Sequence, residues 1–168
     1  MSRIHRSLLV GLFFPALLSA SSTWADDATE AGIHLAKGLW IFDVSIRSPL
    51  QSAPASQKLK ACVGDDPLTA EKLMPWAESR GCKIRNVVAV EDGIKWKIRC
   101  NKNGQKSKGS GEFHLVSEQR GDGKSKIQFE MGGRRMSIVT KWKADRVGTC
   151  KDPDATDFAP EAVTSESD

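Results

Sequence analysis

The sequence predicts an all-β domain with one short helix, in which about seven antiparallel strands form a meander curved into a small barrel or half-barrel. Apolar and polar residues alternate through most of the chain, as they do in strands with one buried face. Turn dipeptides such as Asn103-Gly104 and Gly132-Gly133 separate the alternating runs. Only residues 70–74 suit a helix, which Pro75 ends. A two-sheet sandwich is the alternative, although it usually needs longer connections.

The first 25 residues have the pattern of a signal peptide. A basic start is followed by an apolar core at 8–18 and by the small-x-small site Thr23-Trp24-Ala25. An apolar run of roughly eleven residues is too short to cross a membrane, so no transmembrane segment is expected. We therefore predict a periplasmic, secreted protein in which residues 26–37 form a leader and residues 38–150 a β-rich domain.

Charge is unevenly placed along the mature chain. Residues 38–150 hold 21 Lys and Arg against 12 Asp and Glu, whereas residues 151–168 hold six acids and one Lys. This last stretch is poor in apolar residues and rich in Ser, Pro and acid, so it is predicted to be an acidic disordered tail.

The stretch from Cys82 to Cys100 predicts the central β-hairpin. Apolar residues fall mainly at even positions, and Lys and Arg at odd positions. A two-residue Asp92-Gly93 turn would place even positions opposite odd ones, whereas a three-residue loop that begins at Glu91, with Gly93 left-handed, keeps the apolar set on one face. We therefore predict the three-residue loop.

The strands before the hairpin follow from the same alternation. Gly38 to Arg47 predicts the first strand and Gln57 to Val63 the second, because each carries its apolar residues on one face. Residues 48–56 hold two Pro and three Ser, so they are predicted to form a loop.

Turn chemistry sets the register after the hairpin. The Asn103-Gly104 turn pairs Trp96 with Gly111, which leaves room for the indole, although a flexible loop rich in Lys and Ser is the alternative interpretation. A further turn is predicted at 120–123, which would bring Phe129 and its neighbours to face Leu115 and Phe113. The Gly132-Gly133 turn then pairs Phe129 with Met136.

Four cysteines in a secreted chain predict two disulfides. Their spacing lacks the close pairs of a zinc site, so no metal is expected. In the predicted hairpin register, Cys82 is a diagonal neighbour of Cys100, beyond ordinary disulfide reach. Of the three possible pairings we therefore favour Cys62 with Cys82 and Cys100 with Cys150.

Two binding hypotheses follow from the two faces of the sheet. The inner face could enclose an apolar or lipid-like ligand, or its aromatic residues could simply fill the core. The outer face could dock on anionic lipid, lipopolysaccharide or an acidic protein, or its charge could serve solubility and edge protection. Nucleic acid is not expected as a partner. The candidate ligand-binding residues are Trp40, Phe42, Trp96, Phe113, Phe129 and Trp142, and the basic face comprises Lys95, Lys97, Arg99, Lys106, Lys108, Lys141 and Lys143.

No catalytic residues or cofactor are predicted. The mature chain holds only His34 and His114, no Tyr and no cysteine expected to stay free. A nucleophile paired with a base cannot be assembled from this set, and phosphate-binding loops are absent. The sequence therefore favours a binding protein over an enzyme.

Short motifs support a family resemblance. They are Gly38-Leu39-Trp40, Lys60-Ala61-Cys62-Val63, Gly81-Cys82-Lys83, the strand at 96–100, Gly109-Ser110-Gly111-Glu112, and the stretch 146–150 that ends at Cys150. With their cysteine and glycine spacing, these motifs resemble the small secreted proteobacterial proteins known as domain of unknown function 3617, over about Gly38 to Cys150. The resemblance implies a periplasmic β-rich domain and implies no activity. This chain differs in having fewer Met and more Lys on its later strands.

Overall fold

The computed structural model describes residues 31–151 and 161–162. The predicted signal peptide, the first residues of the leader and most of the predicted tail lie outside the described residues. Within the described part of the chain, no helix is both long enough and apolar enough to cross a membrane.

The described residues form five short elements and seven long strands, numbered in chain order. The short elements are β1 (Gly32–Ile33), β4 (Leu68–Thr69), α1 (Ala70–Leu73), a 3₁₀ helix (Glu78–Arg80) and β10 (Glu161–Ala162). The long strands are β2 (Gly38–Arg47), β3 (Ala55–Val63), β5 (Cys82–Val90), β6 (Gly93–Lys102), β7 (Gln105–Ser117), β8 (Arg120–Met131) and β9 (Arg134–Gly148).

All seven long strands belong to one antiparallel sheet, as predicted. Its order is β10-β3-β2-β9-β8-β7-β6-β5, so the sheet does not close into a barrel. It is nevertheless strongly curved. Phe42 and Phe113 lie three strand spacings apart, roughly 14 Å in a flat sheet, yet their ring centroids are 6.5 Å apart. The half-barrel form of the prediction is the one observed.

The predicted loop of the central hairpin is wrong, and with it the register. Val90 pairs directly with Gly93, so the turn has two residues, Glu91 and Asp92. A β-bulge between Arg85 and Val88 then restores the pairing of even with even positions. Asn86 adopts a left-handed conformation in this bulge, with φ of 50°. Parity was therefore preserved by an extra residue inside the strand rather than in the turn.

The predicted turn at 120–123 is also displaced. Arg120 already pairs with Ser117, and β8 places Ile127 opposite Gly109 instead of Leu115. Glycines that suggested a turn instead lie inside β8. A Cβ atom at Gly121 would lie 2.6 Å from the ring of Phe113, so this glycine gives the ring its space. The registers predicted from the Asn103-Gly104 and Gly132-Gly133 turns are confirmed.

The concave face of the sheet holds the core. The indole of Trp96 packs directly against the backbone of Gly111, where an added Cβ atom would lie 2.3 Å from the ring. One end of the core is covered by β1, β4, α1 and the 3₁₀ helix, which bury Ile33, Leu68 and Met74. The leader segment thus contributes to the core through Ile33 and Leu35.

Two disulfides are present, but the predicted pairing is wrong. Cys62 is joined to Cys150 and Cys82 to Cys100. The bulge at 86–87 explains the error, because it brings Cys82 directly opposite Cys100 rather than diagonal to it. No described cysteine is free. Disulfides of this kind indicate an oxidising, extracytoplasmic environment.

Candidate functional site

Five of the six candidate ligand-binding residues lie in the core. Trp40, Phe42, Trp96, Phe113 and Trp142 are at most 3% exposed. The indole N–H of Trp40 donates to the carbonyl of Ala36 at 2.8 Å, which fixes that ring in place. Phe129 alone among the six is half-buried and lines an open cleft.

This cleft, of about 1560 Å³, lies between the α1–3₁₀ segment and the ends of β5 to β8. We call this the upper end of the sheet; the turns Asn103-Gly104 and Gly132-Gly133 lie there. Buried or half-buried apolar groups form the base of the cleft. They are Met74, Ala77, Ile84, Phe129 and the Cys82–Cys100 disulfide.

The α1–3₁₀ segment forms the wall of the cleft opposite the sheet, and the sequence contains the residues that begin and end it. Thr69 begins the helical segment, since its hydroxyl accepts a hydrogen bond from the backbone N–H of Lys72 at 3.4 Å. Gly81 ends it in a left-handed conformation, with φ of 69°, and turns the chain into β5. Because Cys82 follows at once and is bonded to Cys100, the wall is tied to the base of the cleft.

Exposed side chains around the cleft are mainly basic. Glu71, Glu78 and Glu130 are outnumbered by six Lys and Arg residues. A low-dielectric base beside an excess of positive charge suits an apolar body with a negatively charged group. The basic residues are Lys83, Arg85, Arg99, Lys106, Lys108 and Arg135, which the strands carry on their convex side and which border the cleft at the strand ends.

The basic face of the sheet is convex and solvated. All seven predicted members, Lys95, Lys97, Arg99, Lys106, Lys108, Lys141 and Lys143, are exposed. Glu112 lies among them, 3.0 Å from Lys124, 3.9 Å from Lys95 and 3.7 Å from His114. The hydrogen bond from Lys124 holds the pKa of the Glu112 carboxyl below its ordinary value, against the opposing effect of burial.

A smaller hollow of about 460 Å³, here called the outer hollow, lies on the convex side of β5 to β8. Its lining includes Arg85, Lys97, Arg99, Lys108 and Lys126 and no carboxylate. Basic residues face each other directly across strands here, as in the pairs Arg85–Lys97 and Arg99–Lys108. Like charges placed opposite each other destabilise a sheet, so this charge is not explained by stability.

Among residues 31–151 and 161–162, no group of three or more His, Cys, Asp or Glu could hold a metal ion. His114 lies half-exposed beside Glu112 on the convex face, away from the cleft. The described buried side chains leave one polar atom without a partner, Nε1 of Trp96, which is packed against Gly111.

The family described as "Protein of unknown function (DUF3617)" matches residues 35–150. The chain belongs to the DUF3617 family. No curated protein sequence matches it. Among solved structures, this DUF3617 chain is similar to the S-type phycobiliprotein lyase CPES from Guillardia theta, with 9% identity, coverage of 68% of this chain and 90% of the lyase chain, and a TM-score of 0.33.

Sequence reasoning missed most of the cleft of this DUF3617 domain. Met74 and Ile84 form part of its base, and Lys83, Arg85 and Arg135 part of its rim. The alternation of β5 did place Ile84 on the apolar face of the hairpin, but it did not indicate a cleft there. The α1–3₁₀ segment gave no signal of where it would pack, because four helical residues carry no amphipathic period.

Proposed function

We propose that the protein is a non-enzymatic binding protein of the periplasm that takes an amphipathic anionic ligand in its cleft. The observation that carries this proposal is the combination of an apolar base with a rim of six basic and three acidic residues. From the sequence, an apolar ligand and an anionic partner are separate alternatives, one for each face of the sheet. The cleft favours one ligand with both properties.

The apolar part of such a ligand would lie on Phe129, Met74 and Ile84. Burial of a side chain the size of Phe is worth about 1.5–3 kcal/mol, so a few such contacts support micromolar binding. The charged group would lie within reach of Lys106 and Arg135, which are exposed and lie at the upper ends of β7 and β9, on either side of β8. Charge on the rim would contribute orientation and association rate more than affinity.

Calorimetric titration with dodecyl phosphate and with uncharged dodecanol tests this function. Phe129→Ala should weaken the binding of both ligands by about tenfold or more, because apolar contact is lost. Lys106→Gln with Arg135→Gln should weaken only the phosphate. Val116→Ala is the matched apolar control, since Val116 is 57% exposed and does not line the cleft. Equal affinity of the parent, the Phe129 variant and the basic-rim variant for both compounds would contradict the proposal.

A second candidate function is attachment of the basic face to anionic lipid, lipopolysaccharide or an acidic protein. The outer hollow favours it, because its facing basic residues are uncompensated by any carboxylate in the lining. Simultaneous neutralisation of Lys97 and Lys126 should then weaken retention on an anionic surface at low salt without changing dodecyl phosphate binding. Unchanged retention would assign the charge of this face to solubility.

A further inference from the structure

Charge is segregated along the strands as well as between the two faces of the sheet. The upper end comprises residues 82–85, 99–108 and 128–135, which adjoin one another through the pairing of β5 to β9. These residues include eight Lys and Arg and one acid, Glu130. The opposite, lower end comprises residues 88–95, 112–124 and 141–148 and holds six basic and six acidic residues.

The charge of the upper end is exposed and unpaired. Its eight basic residues are all exposed, and within the described ranges none lies in a salt bridge. At the lower end and its border, in contrast, Lys95 and Lys124 pair with Glu112. The basic residues of the upper end are Lys83, Arg85, Arg99, Lys102, Lys106, Lys108, Arg134 and Arg135.

An exposed apolar side chain lies at the tip of this end. Met131 is 42% exposed and precedes the Gly132-Gly133 turn, and Arg134 faces it across that turn. A side-chain amide N–H of Gln105 donates to the carbonyl of Glu130 at 3.1 Å and links the tips of β7 and β8. The tip therefore presents one apolar group framed by cations, a combination suited to the headgroup region of a bilayer.

We infer that the protein docks end-on, through this upper end, on the surface of an anionic phospholipid bilayer. The inference rests in part on the proposed function, because the cleft for an amphiphile lies at the same end. A bilayer is favoured over an acidic protein because the amphiphile and the anionic charge would then be supplied by one partner. Docking by the end rather than by the convex face would bring the cleft against the headgroups.

Two variants of equal charge change separate end from face. Lys102→Gln with Arg134→Gln removes two positive charges at the tip, and neither residue lines the cleft. Lys141→Gln with Lys143→Gln is the control on the convex face, where both residues are exposed. Each basic residue near an anionic surface is worth about fivefold in binding, so the tip variant should bind roughly 25-fold more weakly than the parent. The loss of affinity in the control variant should be several-fold smaller.

The measurement is co-sedimentation at low salt with vesicles of phosphatidylglycerol mixed with phosphatidylcholine, and with vesicles of phosphatidylcholine alone. Thermal unfolding confirms that both variants fold. Loss confined to the tip variant, with no binding to neutral vesicles, supports end-on docking. Equal loss in both variants overturns it, as does retention on polyglutamate without binding to vesicles. Failure of the parent to bind vesicles while it still binds dodecyl phosphate overturns the docking and leaves the proposed function standing.

Discussion

Substitution of Gly111 by Ala should destabilise the protein through one identifiable contact. The added Cβ atom would lie 2.3 Å from Cε2 and Cζ2 of Trp96 and 2.6 Å from its Nε1, distances that real Cβ atoms do not show. The indole is 1% exposed and cannot move outward. Overpacking of a filled core costs about 1–3 kcal/mol, which is the expected loss in the free energy of unfolding.

A double-mutant cycle assigns that cost to the contact. Phe at position 96 lacks the pyrrole N–H and the second ring, so Gly111→Ala should cost about 1–2 kcal/mol less in a Trp96→Phe background than in the parent. Gly148→Ala is the control, because a Cβ atom there meets nothing within 4 Å. Urea titration followed by circular dichroism gives the free energies, provided that the slope is unchanged. A penalty at position 111 that is the same in both backgrounds would refute the reasoning.

Two further predictions concern charge and covalent links. Because the pKa of Glu112 is depressed, its ion pairs stabilise the fold above the ordinary value of 4.5, and this contribution is lost as the pH falls through the depressed pKa. Glu112→Gln should therefore make the free energy of unfolding fall less steeply with decreasing pH. Glu118→Gln, which makes the same charge change in an exposed turn, should leave that pH dependence unchanged. The two disulfides close loops of different length, because Cys62 and Cys150 are separated by 88 residues and Cys82 and Cys100 by 18. In a chain-entropy estimate, removal of the first should lower the free energy of unfolding by about 4.6 kcal/mol and removal of the second by about 3 kcal/mol. Equal midpoints in urea for the two double Cys→Ser variants would contradict the loop-length argument.

The sequence predicted the strand register correctly where the turn residues allowed only one type of turn. The Asn103-Gly104 and Gly132-Gly133 turns gave correct registers, and the pairing of Trp96 with Gly111 followed from the first of them. Gly121 and Gly123 misled, because a glycine that makes room for a ring looks in sequence like a glycine that makes a turn. Glycine reports a need for space or for a left-handed backbone, and the sequence does not separate these needs.

The bulge in β5 had the widest consequences. A single extra residue near Asn86 changed the predicted loop, register and disulfide pairing together. Bulges leave little local signature, since a non-glycine residue can occupy them. The cleft was beyond reach for a different reason: its base and rim come from segments that are distant in sequence and meet only when β5 to β8 align at the upper end.

The charge of the upper end works against the sheet that carries it, and the Cys82–Cys100 disulfide lies beside one of the rows of facing cations. Lys83 faces Arg99, and Arg99 faces Lys108 on its other side, so three cations lie in one cross-strand row. Like charges placed opposite each other weaken strand pairing, and β5 is the edge strand with a neighbour on one side only. The disulfide joins the residue pair next to Lys83 and Arg99. It therefore holds the edge strand to β6 at the point where repulsion would separate them, which allows the fold to keep a concentrated positive charge beside the cleft.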